Sequence, residues 1–247
     1  MAGHDFLLIS CEHGGNVIPP AYRPLFRAHS ALLASHRGHD PGALTLARKL
    51  AAELRAPLFQ STVSRLLIDL NRSVRHPRLY SEITRDLPGA VRKDILERHY
   101  LPYRSKVETA VADAAGRGLR VVHIASHSFT PVLDGEVRNA DVGLLYDPGR
   151  AGETALCRAW QAALAELAPG IRVRRNYPYR GTSDGFAAYL RRRFSDSAYI
   201  GVELEVNQCQ VARDGEDWHR LRRLLIAALR RALAATQSQP RSANDKA

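Results

Sequence analysis

Cysteine is scarce in this chain of 247 residues. Cys11, Cys157 and Cys209 are too few and too scattered for a disulfide framework or a four-cysteine metal cluster, and a reducing compartment suits them. Long apolar runs are missing: nothing approaches the ~18 residues that cross a bilayer. The opening Met1-Ala2-Gly3-His4-Asp5 lacks the basic start of a secretory leader, and Phe6 to Ile9 is too short for its apolar stretch. The expected location is the cytoplasm, with no membrane partner. Phosphate-cradling loops are absent, with neither G-x-G-x-x-G nor a Walker-type motif, and so is the G-x-S-x-G elbow of serine hydrolases. Acidic residues are the minority, 25 against 36 basic ones, for a net charge of +11. A positive chain suggests nucleic acid. Here, however, the arginines are spread along helical segments such as 191–193 and 220–231, with no dense basic tail and no interleaved aromatics. No nucleic-acid partner is expected. A positive cleft drawing in a small anionic substrate accounts for part of the excess.

What is present is an alternation of strand and helix signals. Phe6 to Ser10 is a continuous apolar run suited to a strand buried on both faces, and Leu119 to Ala125 is another. Further strands are predicted over 57–60, 63–68, 140–146, 171–175 and 199–206, and helices over 42–55, 89–117, 151–167, 184–194 and 216–235. The fold class is therefore α/β: three layers, α/β/α, around a mixed, mostly parallel central sheet. No repeat or linker interrupts it, so a single catalytic domain over 1–236 is expected, followed by a polar, disordered tail over 237–247.

Ligands of open α/β sheets bind where strands end, and the unusual polar residues gather there. His13 follows the first strand beside Gly14 and Gly15, and His127 follows the 119–125 strand within Ser126-His127-Ser128. A catalytic zinc takes three protein ligands from His, Asp and Glu and keeps a position for water. His13 and His127 are the natural pair, with Asp40, Glu12, His39 and His123 open as the third. A lone histidine is more often a satisfied, half-buried side chain, which is how His4, His29, His76, His99 and His219 are read. Asp40 has a competing role as a helix N-cap ahead of Pro41. His123, four residues before His127 on a strand, shares its face and suits a supporting position. Glu203 and Glu205 lie two apart on a strand and point to one side. They are costly to bury without partners, which leaves either an acid/base role or an exposed edge strand. Asn71-Arg72, just after Asp69, offers a guanidinium and an amide for a carboxylate, though a surface salt bridge is as plain a reading. Cys11 reads as a small buried thiol.

These blocks together, Ser10-Cys11-Glu12-His13-Gly14-Gly15, His39-Asp40-Pro41-Gly42-Ala43, Ser64-Arg65 and Asp69-Leu70-Asn71-Arg72-Ser73, resemble the N-formylglutamate amidohydrolase family. So do Ser126-His127-Ser128-Phe129, Asp141-Val142-Gly143-Leu144, Asn176-Tyr177-Pro178-Tyr179 and Leu204-Glu205-Val206-Asn207. The blocks run in order from about residue 6 to about 230; each alone is weak, but the set is specific. The resemblance implies a phosphorylase/hydrolase-like fold related to zinc carboxypeptidases and aspartoacylase-like deacylases. It implies one zinc ion on His13, Asp40 and His127, Glu205 as the base that activates water, and Asn71 with Arg72 on the substrate carboxylate. Those carboxypeptidase-like relatives place a glutamate ligand three residues after the first histidine, where Asn16 stands here, so Asp40 is the family's substitute. Arg65 and Arg180 are added as groups for a second carboxylate or the oxyanion. The expected reaction is removal of a formyl or other small acyl group from an N-acylated acidic amino acid such as N-formyl-L-glutamate. The alternatives are a related deacylase or a peptidoglycan-type amidase and, in a different class, a basic nucleic-acid-binding protein.

Overall fold

The computed structural model describes residues 5–212 and 215–237. In chain order the elements are β1 (Phe6–Cys11), α1 (Ser30–Ala34), α2 (Ala43–Leu54), β2 (Leu58–Gln60), α3 (Gly89–Ile95) and α4 (Leu101–Gly116). Then come β3 (Val121–Phe129), β4 (Val132–Leu133), β5 (Glu136–Val137), β6 (Val142–Leu145), α5 (Ala151–Leu167) and β7 (Val173–Arg175). α6 (Phe186–Arg193), β8 (Tyr199–Asn207), α7 (Gln208–Val211) and α8 (Glu216–Gln237) complete the chain. Six strands form one sheet in the order β2-β1-β3-β8-β6-β7, and β4 and β5 form a separate hairpin. β2, β1, β3 and β8 run parallel; β6 is antiparallel to β8, and β7 is parallel to β6. The sheet is thus mixed and mostly parallel, with helices on both sides. Among the described residues no helix is long and apolar enough to cross a membrane.

Side-chain alternation assigns the two faces. On one side Ile9, Cys11, Val122, Ile124, Ile200, Val202 and Leu204 pack with Leu46 and Leu50 of α2, Trp160 of α5 and Leu225 and Leu229 of α8. On the other, Leu8, Val121 and Tyr199 meet Val107 and Val111 of α4 and Phe186 and Leu190 of α6. The period of two then sends Ser10 and Glu12, His123 and His127, and Glu203 and Glu205 to this second side. One face of the three central strands is apolar up to the end of β3, where Ser126 Oγ donates to Ala43 O of α2 at 2.9 Å; the other turns polar toward the strand ends.

Two expectations change. Residues 63–68 do not form a strand: Val63 makes one isolated bridge to Val17, and the chain then turns over 65–67, with Leu67 N–H donating to Ser64 O at 2.9 Å. The apolar run there is buried because Leu66, Leu67, Ile68 and Leu70 pack with Ile18, Tyr22 and Phe26 in a separate cluster. β3 does not stop at Ala125; its pairing with β8 continues to Phe129, so His127 lies on the strand, opposite Glu205. Neighbouring β8 satisfies the backbone of Ser126-His127-Ser128, and a polar triplet stays extended. Of the expected polar tail, Gln237 closes α8 and the rest lies outside the described residues.

Ile124, fully buried at the middle of β3, reports on the sheet. Ile124→Ala is expected to cost about 2–5 kcal/mol, the usual range for a core aliphatic truncation, read by chemical denaturation.

Candidate metal centre and cleft

The centre is assembled from three separate pieces of chain. Just after β1, Gly14 lets the backbone run against residues 61–62: its N–H donates to Ser61 O at 3.0 Å, and a Cβ there would lie 2.8 Å from that same oxygen. His13 is thereby set facing the 39–41 segment, and its carbonyl accepts from Asp40 N–H at 2.9 Å. β3 brings His127. Asp40 is not a helix cap, since Gly42 holds that position in α2 with φ of 78°. Its carboxylate turns to the histidines instead.

Asp40 Oδ2 faces His127 Nδ1 at 3.0 Å and His13 Nδ1 at 3.4 Å, and Ser128 N–H donates to it at 3.4 Å. The far edges of both rings meet carboxylates too. His13 Nε2 lies 2.7 Å from Asp69 Oδ1, and His127 Nε2 lies 3.1 Å from Glu12 Oε2, in charge contact but out of line for a hydrogen bond. Tyr103 hydroxyl donates to the other Glu12 oxygen at 2.9 Å. Arg65 donates to Asp69 at 2.8 Å and to Asp40 at 3.4 Å.

Burial alone raises the Asp40 and Asp69 carboxyls, but the imidazoles and Arg65 hold both well below the usual carboxylate range. Burial raises Glu12 as well, and His127 brings it down to about 2. Desolvation lowers His127, yet Asp40 and Glu12 carry it well above an ordinary histidine; burial and Arg65 lower His13, and Asp69 and Asp40 outweigh them. Three buried carboxylates thus pull positive charge toward two imidazoles.

His13, Asp40 and His127 are a group that could hold a metal ion: one donor atom from each lies within 4.8 Å of the others. The donor chemistry fits a divalent ion. Two ring nitrogens and a carboxylate oxygen converge, and each ring's other nitrogen is backed by a carboxylate, the usual support of metal-binding histidines. Of the other candidates for third ligand, Glu12 is spent behind His127. His123 bonds Tyr199 hydroxyl at 2.8 Å and Ser10 Oγ at 2.7 Å, and burial lowers it to about 4, so it stays neutral in the sheet. His39 does not join the cluster.

The histidines open onto a cleft of about 650 Å³ whose lining includes Arg65, Asn71, Arg72, Tyr179, Arg180, Glu203 and Glu205. Glu205 is buried, one carboxylate oxygen has no partner among the described residues, and desolvation raises its carboxyl to about 7 despite His127. β8 is a central strand, so the edge-strand reading of Glu203 and Glu205 falls away. Arg72 is clasped by its surroundings: Nη1 donates to Asp184 O at 2.7 Å and its carbonyl accepts from Tyr100 hydroxyl at 2.7 Å. Asn71 Oδ1 accepts from Phe186 N–H at 2.6 Å at the start of α6, which leaves its amide donors to the cleft. Arg180 is exposed on the rim, and its guanidinium makes no hydrogen bond or ion pair among the described residues.

The six residues that the resemblance assigns to the site, together with Arg65 and Arg180, all line this one cleft. In the sequence Asp69 stood out only by its place just before Asn71-Arg72. It sits 4.0 Å from the Arg72 guanidinium and serves His13 and Arg65 more closely. Tyr103, on α4, carried no signal at all.

The profile of the N-formylglutamate amidohydrolase family matches residues 6–212. The chain belongs to this family. Its fold is similar to that of a gene product of Agrobacterium tumefaciens, with 30% identity, a TM-score of 0.79 and coverage of 95% of this chain and 92% of the other. An N-formylglutamate amidohydrolase from Ralstonia eutropha shares the fold at 20% identity, with a TM-score of 0.69 and 95% of each chain covered. A metallo-carboxypeptidase from Burkholderia cenocepacia aligns at 13% identity with a TM-score of 0.39 over 94% of this chain and 57% of its own, too slight a likeness to argue from. No match was found among functionally curated proteins.

Ligand nitrogens must be free of protons to bind a metal, so metal affinity at this centre should fall as pH is lowered, beginning above the ordinary histidine range. Calorimetry with Zn²⁺ in buffers of different ionisation enthalpy reads the protons released. Glu12→Gln, which withdraws the charge behind His127, should weaken binding about 10–100-fold.

Proposed function

We propose that this chain is a zinc-dependent amidohydrolase that removes a formyl or other small acyl group from an N-acylated acidic amino acid such as N-formyl-L-glutamate. The observation that carries the reading is the proton-seeking carboxylate of Glu205, one oxygen without a partner among the described residues, paired in register with His127 of the His13–Asp40–His127 group. Held by those three residues, a divalent ion would supply Lewis acidity, lowering the pKa of a water toward ~7 and polarising the acyl carbonyl.

The rest falls to the chain's own groups. Glu205 takes a proton from the attacking water and returns it to the leaving nitrogen. Its raised proton affinity, about 7, suits both halves of that transfer. Arg72 and the Asn71 amide take the carboxylate of the amino acid. Arg180 is the free guanidinium for a second carboxylate, which is why an acidic amino acid is favoured. Arg65 lines the cleft, yet its donors are engaged by Asp69 and Asp40, so its main part is to keep both ionised and in place.

Glu205→Gln is expected to lower kcat on N-formyl-L-glutamate at least ~100-fold with zinc content unchanged. A variant that stays within tenfold of wild type would remove Glu205 from this role. The base must be unprotonated, so kcat/KM should rise with pH through a limb at or below about 7, because a bound cation draws the carboxyl down. A pH–rate profile of the zinc-loaded enzyme shows the limb, and the Gln variant should lack it.

A further inference from the structure

Glu203 is left without a task by this mechanism. It stands on β8 two residues before Glu205, on the same face, opposite Ala125 of β3. It lines the cleft, and its carboxylate makes no hydrogen bond or ion pair among the described residues. A carboxylate desolvated in this way is costly unless something arrives to pair with it, and burial does push its carboxyl above the ordinary range. Its neighbourhood shows what that partner is. Gly185, just ahead of α6, packs against it so closely that a Cβ there would lie 3.0 Å from Glu203 Oε1 and 3.2 Å from Asn71 Oδ1. The Glu203 carboxylate and the Asn71 amide are therefore adjacent heads in one wall of the cleft, with a glycine keeping the space beside them clear.

An α-amino acid carries its carboxylate and its nitrogen on one carbon, so groups that recognise the two must stand side by side. Resting on the assignment of Asn71 and Arg72 to the carboxylate, we infer that Glu203 is the nitrogen-binding residue of the cleft: it accepts the amide N–H of the acylated substrate and pairs with the ammonium of the released amino acid. Hydrolysis of the C–N bond turns a neutral nitrogen bearing one N–H into a cation bearing three, and Glu203 meets that change with a charge already in place. The site then favours compounds with a nitrogen next to the carboxylate over plain dicarboxylates, and it holds the amino acid product in its zwitterionic form.

The test needs no turnover. Zinc-loaded protein is titrated calorimetrically with glutamate and with glutarate, which has both carboxylates and no amine. Wild type is expected to bind glutamate about tenfold tighter. Glu203→Gln, similar in shape but uncharged, is expected to bring the two within about twofold by weakening glutamate, with glutarate unchanged as the sign that the cleft is intact. Wild-type protein with no preference for glutamate overturns the inference, as does a Gln variant that keeps it. Failure to hydrolyse N-formyl-L-glutamate with the preference intact would count against the amidohydrolase reading and leave the role of Glu203 supported.

Discussion

The site depends on one carboxylate oxygen, Asp40 Oδ2, toward which two imidazoles from distant stretches of chain turn their Nδ1 atoms. Burying that charge is expensive, and its surroundings are a series of answers to the cost. The histidines face it, Ser128 N–H reaches it, and Arg65 neutralises its other oxygen. The histidines in turn need their outer nitrogens covered, which brings Asp69 and Glu12 into the interior, and Glu12 calls for Tyr103 from α4. The chain of compensation ends only where each group is paired or opens to the cleft. Glu203 and Glu205, neither with a full set of partners, stand at that opening.

The sheet makes this affordable by separating its two faces. The side covered by α2, α5 and α8 is apolar along β1, β3 and β8 and holds the principal core. The imidazoles and carboxylates of the same strands point to the α4 and α6 side, where the site lies. Because the strands are parallel and adjacent, their corresponding ends fall together, and residues with large sequence separations meet at one place. The clasp between Asn71-Arg72 and Asp184–Phe186 then ties the loop wall of the cleft to α6, so the polar groups are held by the same helix that packs the core.

Much of this was legible in the chain itself. Strongly periodic segments such as 151–167 form as read, because their apolar spacing matches a buried helical face whatever they pack against. Residues 63–68 misled because an apolar run says only that its side chains are buried. Here they are buried in a loop cluster rather than in the sheet. Ser126-His127-Ser128 misled in the opposite sense, since its polarity suggests a turn while β8 holds it extended.

From the sequence alone follow the α/β class, the family resemblance, and the candidacy of His13, His127, Asn71, Arg72 and Glu205, since these rest on residue type, order and periodicity along the chain. Tertiary structure alone decides which of Asp40, Glu12, His39 and His123 faces the histidine pair, that Arg65 is occupied by carboxylates while Arg180 is free, and that Glu203 stands beside Asn71. Those are distances between residues tens of positions apart. No local pattern encodes them, because they are set by which strands neighbour one another and by how far a buried charge must reach for its partner.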